Sequence, residues 1–136
     1  MTTKLTYIII FCFVCIHVSA QNFYMCFTND TNPKLALSVT FNSTSEKATF
    51  IKYKGQKETM LLSYLKRSVP AKGDAAYETT YSEKYHGKQT GTYIFTHSGN
   101  WDYIKYIRKK DGKIFNFTIN LETSIKDDGY RKTPCY

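Results

Sequence analysis

The fold is decided by residues 90–121, which read TGTYIFTHSGNWDYIKYIRKKDGKIFNFTINL. Near the end of this stretch apolar and polar side chains alternate, with Phe115, Phe117, Ile119 and Leu121 on one face and Asn116, Thr118 and Asn120 on the other. A period of two is the pattern of a strand that is buried on one face. Turn residues separate the apolar runs at 98–100 and 110–112, and Asp-Gly is a strong hairpin signal. We therefore predict a three-stranded antiparallel meander.

Shorter strand-like runs precede the meander, at residues 35–41, 48–54, 59–65 and 77–81. The second and third of these runs flank a hairpin loop predicted at 55–57. A longer loop is predicted at 68–76, and a polar tail at 124–134 brings the chain end back to the body. The spacing predicts one all-β domain, an antiparallel β-sandwich or an up-and-down barrel of about six to eight strands.

The first twenty residues have the pattern of a secretory signal peptide. Lys4 precedes an apolar run from Leu5 to Val18, and Ser19-Ala20 supplies small side chains before Gln21. A membrane-spanning helix needs about 20 apolar residues, so this run is too short for one. We predict a signal peptide at 1–20 and a secreted, extracellular domain at 21–136 without a transmembrane segment.

Removal of the signal peptide leaves two of the four cysteines, Cys26 and Cys135. An oxidising compartment favours a disulfide between them, which would join the two ends of the domain. Intermolecular pairing is the alternative. A catalytic thiol is disfavoured, because neither cysteine has a companion His/Asn pattern.

Three N-glycosylation sequons accompany the signal peptide, at Asn29, Asn42 and Asn116. None has proline at its middle position, so each can accept a glycan where it faces solvent in a eukaryotic secretory pathway. The alternative is that these asparagines are ordinary polar strand and turn residues.

The charge of the predicted mature chain is strongly positive. Lys4 is the one charged residue in 1–20, so 18 basic and 11 acidic residues remain, a net charge of +7. A candidate polyanion-binding set surrounds the Asp-Gly hairpin: Lys105, Arg108, Lys109, Lys110 and Lys113. An acidic glycan or anionic lipid is the partner considered, and nucleic acid is disfavoured because no nucleic-acid-binding motif is present. The alternative is that these lysines keep strand edges and turns soluble.

Catalytic patterns are poorly supported. His86 and His97 are the histidines that follow the signal peptide, and each lies beside a predicted turn. His97, Ser98 and Asp102 supply the residue types of a hydrolase triad, but a Gly-x-Ser-x-Gly nucleophile elbow is missing. We predict a protein that is not an enzyme and has no metal or cofactor.

The domain is rich in aromatic residues, with Trp101, seven phenylalanines and eleven tyrosines after residue 20. Such rings fill a small core, or they line a cavity for a small apolar ligand. The carrier alternative requires a cavity of about 300 Å³ or more. A lipocalin-like barrel suits the size and strand number. However, lipocalins place Gly-x-Trp near their first strand, whereas Gly99-Asn100-Trp101 lies late in this chain.

Parts of the chain resemble an uncharacterised family of small secreted nematode proteins that are expressed in the uterine lumen. The resemblance rests on residues 97–103, 108–113 and 115–119, on the segments at 87–88 and 90–93, and on Cys26 with the tail at 133–136. It implies secretion, a single domain and a reproductive-tract setting. It implies no chemistry, so the predicted function is that of a secreted, N-glycosylated, non-enzymatic protein with an unknown extracellular partner.

Overall fold

Eight strands close into an antiparallel barrel in chain order in a computed structural model of the protein, which describes residues 21–69 and 76–136. The predicted signal peptide and positions 70–75 of the predicted loop lie outside the described residues. The barrel strands are β1 (Asn22–Asn29), β2 (Ala36–Asn42), β3 (Ala48–Tyr53), β4 (Met60–Ser68), β5 (Tyr77–Tyr85), β6 (Lys88–Ser98), β7 (Trp101–Arg108) and β8 (Ile114–Ile119).

The pairing of the first strand with the last decides between the sandwich and the barrel. β1 pairs with β8 through Phe27 and Ile119, Thr28 and Thr118, and Asn29 and Phe117. This closure joins the first strand of the sheet to the last, and it confirms the all-β, up-and-down barrel alternative. The predicted meander corresponds to β6, β7 and β8, with boundaries within a few residues of those predicted.

The first strand is the one that the sequence analysis missed. β1 buries Met25 and Phe27 inside the barrel, and it also buries Cys26 on its outer face. A strand that is covered on both faces does not alternate apolar and polar residues, so its sequence lacks the period-two signal.

The β5–β6 hairpin extends farther than predicted, since the predicted strand at 77–81 continues to Tyr85. Tyr85 pairs with Lys88 across a two-residue turn, and His86 and Gly87 both have positive φ, at 49° and 73°. Two such residues match the right-handed twist of a hairpin. The turns predicted at 98–100 and 110–112 are present, with φ of 60° at Gly99 and 68° at Gly112.

The chain after β8 forms a strap along the outside of β1. It contains a one-turn helix α1 (Leu121–Ser124) and a small hairpin of β9 (Ile125–Lys126) and β10 (Gly129–Tyr130). The Ser124 hydroxyl accepts from the Cys26 amide at 2.8 Å, and the Tyr24 amide donates to the Arg131 carbonyl at 2.9 Å. The strap ends in the predicted disulfide between Cys26 and Cys135, whose Cα atoms are 5.9 Å apart.

Candidate ligand-binding site at the barrel mouth

One end of the barrel, here called the barrel mouth, contains a cavity of about 200 Å³. The alternation of β1, β5 and β6 points every second side chain of these strands into the barrel, so their inward residues meet there. The cavity is lined by Phe23, Met25, Phe27, Phe41, Glu46, Arg67, Tyr77, Thr79, Tyr81, Phe95, His97, Asp102, Tyr103 and Tyr130.

Aromatic rings form the floor and one wall of this cavity. The Phe95 ring lies 5.0 Å from that of Tyr81 and 6.0 Å from that of Phe41, centroid to centroid. Phe23 stacks on Phe41 at 5.1 Å and meets Tyr130 of the strap at 5.6 Å. Burial raises the pKa of Tyr81 and of Tyr130, so both phenols remain neutral. The floor is therefore apolar and uncharged.

A row of polar groups runs along the rim of the mouth. His97 and Asp102 are cross-strand partners, and the imidazole Nδ1 lies 2.8 Å from the Asp102 Oδ1. The Tyr77 ring lies 5.1 Å from the His97 ring, and the Arg67 guanidinium lies 4.4 Å from the Tyr77 centroid. Arg67 Nε also donates to Thr79 Oγ1 at 3.1 Å. These contacts hold a guanidinium in a defined position at the entrance.

The strand arrangement gives Arg67 its exposure. β3 and β4 pair at two positions, Phe50 with Leu61 and Ile51 with Met60. Within the described chain, the half of β4 that carries Arg67 pairs only with β5. Among residues 21–69 and 76–136, no strand other than β5 therefore borders the second half of β4.

The residue types of the suggested hydrolase triad are only partly brought together. Ser98 follows His97 on β6 and is exposed, and neighbouring residues of a strand point to opposite faces. Ser98 therefore does not complete a triad with His97 and Asp102. The other histidine, His86, lies at the opposite end of the barrel, where its Nε2 is 3.2 Å from Glu58 Oε2. That the protein is not an enzyme stays a prediction.

The five basic residues predicted to bind a polyanion do not share one face. Arg108 and Lys113 both lie over the Phe115 ring, at 5.3 and 5.2 Å from its centroid, whereas Lys105 is exposed between two buried neighbours on β7. Arg108 donates two hydrogen bonds to Asp111, at 3.0 and 2.6 Å. These bonds hold the pKa of the Asp111 carboxyl at about 2, so the Arg108 charge already has a partner. Lys109 and Lys110 are exposed in the hairpin turn.

The three sequon asparagines have different environments. Asn116 is exposed on the outer face of β8, as its alternation with the phenylalanines predicts. Asn42 is half-buried and its side-chain oxygen accepts from two backbone amides of the following turn, those of Thr44 and Ser45. Asn29 is buried, and its Nδ2 donates to the Asn116 carbonyl at 2.9 Å. A glycan on Asn29 would have to be attached to this buried, hydrogen-bonded nitrogen.

The sequence analysis did not single out most of the mouth residues. It named His97 and Asp102 only as residue types of a hydrolase triad. The signal that could have found the site is the alternation of Tyr77, Thr79 and Tyr81 on β5 opposite Phe95 and His97 on β6. Nothing local indicates that these residues surround a cavity, because that depends on barrel closure.

No helix within residues 21–69 and 76–136 has the length and apolar character needed to cross a membrane. The disulfide is consistent with an extracellular protein. No protein-family model, curated protein or solved structure matches the chain.

Proposed function

We propose that the protein is a secreted binding protein whose barrel mouth holds a small molecule with an aromatic or apolar body and one acidic group. The observation that carries this proposal is the cavity of about 200 Å³, which is walled by aromatic rings and opens past Arg67. An apolar floor with a few fixed polar groups at its entrance is the usual character of a small-molecule site.

The size of the cavity limits the ligand. Sites for drug-sized ligands measure about 300–1,000 Å³, so the mouth cavity by itself is smaller than the carrier alternative requires. A dry apolar cavity of about 150 Å³ is enough for benzene. A ligand with one ring, or a short branched chain, therefore fits the mouth, whereas a long acyl chain does not.

The rim favours an acidic group on that ligand. No carboxylate of residues 21–69 and 76–136 lies within 4.0 Å of the Arg67 guanidinium nitrogens. Asp102 is already paired with His97, and Glu46 is exposed on the turn between β2 and β3. A planar guanidinium positioned by Tyr77 and Thr79 presents its Nη donors in the geometry that a carboxylate accepts.

Binding of a matched set of one-ring probes tests the proposal: phenylacetate, 2-phenylethanol and phenethylamine, measured by calorimetry and by amide chemical shifts. We expect phenylacetate to bind best at the mouth. Arg67→Gln should weaken its binding about tenfold, because a charge-assisted hydrogen bond is lost. The matched control is Lys66→Gln, which removes the same charge from the neighbouring residue and should change the affinity less than about twofold. Equal effects of the two variants, or preference of the mouth for phenethylamine, would contradict the proposal.

Secretion and N-glycosylation belong to the same proposal. The apolar run before Ala20, the disulfide and the sequons support them, as does the resemblance to secreted nematode proteins. In a eukaryotic secretory cell the full chain should appear in the medium with its N-terminus near Gln21. Mass spectrometry should find glycan at Asn116 more often than at Asn29, because the amide of Asn29 is buried and hydrogen-bonded. A chain that keeps residues 1–20, or a fully occupied Asn29 beside an empty Asn116, would contradict this expectation.

A further inference from the structure

The opposite end of the barrel contains a buried carboxylate. Glu83, on β5, is 3% exposed, and it is the one charged residue among the buried polar residues of the described chain. It follows Thr79 and Tyr81 in the inward-facing register of β5, so its side chain enters the barrel.

Three hydroxyl groups surround this carboxylate. Thr90 Oγ1 and Tyr106 OH donate to Glu83 Oε1 at 2.5 and 2.9 Å, and Tyr93 OH donates to Oε2 at 2.7 Å. A shift in register on β5 brings Thr90 into place, since Glu83 pairs with Gly91 whereas Lys84 pairs with Gln89. The arrangement satisfies much of the hydrogen-bonding capacity of the carboxylate.

Its charge, however, is not compensated. No Lys, Arg or His nitrogen in the described parts of the chain lies within 4.0 Å of the Glu83 oxygens. The tyrosine partners are neutral, because burial raises the pKa of Tyr93 and of Tyr106 above the ordinary value. Burial also raises the pKa of Tyr53, whose hydroxyl is hydrogen-bonded to that of Tyr93, to about 12. A buried carboxylate without a cation costs free energy that hydroxyl donors offset only in part.

The carboxylate borders open space. A cleft of about 290 Å³ at this end is lined by Leu35, Tyr53, Gln56, Met60, Glu83, Tyr106, Arg108 and Phe115. A second, adjoining cleft shares Gln56, Met60 and Glu83 with it. Arg108 brings a positive charge to the rim, but that charge is paired with Asp111. Apart from the Gln56 amide, the remaining side chains of the lining are aromatic, aliphatic or thioether groups.

We propose that this cleft binds a small organic cation, an ammonium group with an apolar substituent, with Glu83 as its anionic partner and the rings of Tyr53, Tyr106 and Phe115 as its walls. Aromatic faces attract an ammonium group, and more strongly where water is excluded. An inorganic divalent ion fits less well, because it requires several oxygen ligands and the described residues contain no group of three His, Cys, Asp or Glu side chains that could hold one.

Titration of the secreted chain with phenethylamine and with choline tests the proposal. We expect both to shift the NMR signals of the Met60 methyl and of the Gly91 amide, and to leave those of Arg67 and His97 at the mouth unchanged. Glu83→Gln should weaken binding about tenfold or more, because the amide keeps the size of the side chain without its charge. The matched control is Glu78→Gln, on the same strand but in the outward register, which should have little effect.

A further variant keeps the test decisive if Glu83→Gln does not fold. Tyr106→Phe keeps the ring and the carboxylate and removes one hydroxyl donor, so it should bind phenethylamine as well as the wild type or more tightly. Loss of binding in this variant would overturn the proposal. So would the absence of shifts at about 10 mM probe, at which a ligand with a millimolar Kd is near saturation. Stronger binding of Ca²⁺ than of either amine would assign the carboxylate to an inorganic cation instead.

Discussion

At the scale of single residues, small side chains inside the barrel leave space for the larger polar side chains beside them. Gly91 is the clearest case. It lies opposite Glu83 on β6, and a Cβ atom at this position would overlap the Tyr106 ring. The absence of a side chain therefore allows Tyr106 to lie 4.4 Å from Tyr93 and to donate to Glu83.

Gly91→Ala should displace the Tyr106 ring and lower the free energy of unfolding by about 1–3 kcal/mol, the usual cost of overpacking a core. Urea unfolding of the purified protein measures this change. The matched control is Gly129→Ala, because a Cβ atom added at Gly129 has no heavy atom within 4 Å. Gly55→Ala is unsuitable as a control, because Gly55 has a positive φ that alanine rarely adopts. The Gly129→Ala change should be within about 0.5 kcal/mol of zero. Equal stabilities of the Gly91→Ala variant and the wild type would contradict the assigned role of Gly91.

At the scale of elements, each barrel strand brings residues to both ends of the molecule. β5 carries Tyr77 and Thr79 to the barrel mouth and Glu83 to the opposite end, and Tyr81 lies between them in the core. Tyr93 and Phe95, whose ring centroids are 6.3 Å apart, are successive inward residues of β6 between the two ends. The two proposed sites are therefore lined by different side chains of one set of inward residues.

At the scale of the whole molecule, the strap and the disulfide hold the two ends of the described domain together. Cys26 is fully buried beneath the strap, and the bond closes a loop with a sequence separation of 109. A cross-link of this length removes much of the conformational freedom of the unfolded chain. The same strap places Tyr130 on Phe23 beside the mouth cavity.

Replacing both Cys26 and Cys135 by alanine should lower the free energy of unfolding by about 4–5 kcal/mol on the loop-entropy account. Guanidinium unfolding with and without the substitutions measures the loss. The control is the wild type under reducing conditions, which loses the bond and keeps both side chains. A loss below about 1 kcal/mol in both samples would show that the strap is held by its hydrogen bonds and packing alone.

Local sequence determined the strand type, the turn positions and the identity of the disulfide partners. The turns at 98–100 and 110–112, together with the alternation in residues 115–121, were sufficient to predict β6, β7 and β8. Turn residues bound each strand, and side-chain direction in a strand has a period of two. The same rule failed for β1, since the strap buries its outer face and removes the polarity signal. Two cysteines after residue 20 admitted one intramolecular pair, which the structure contains.

Only the tertiary structure decided that the sheet closes and which inward residues meet. The contact of β1 with β8 joins residues about 90 positions apart, and no local preference specifies it. Closure brings Arg67, Tyr77 and His97 to one rim, and it gathers Glu83, Tyr93 and Tyr106 at the other end. Alternation fixes the face on which a side chain lies, whereas its neighbours across the barrel depend on the register of every strand between them.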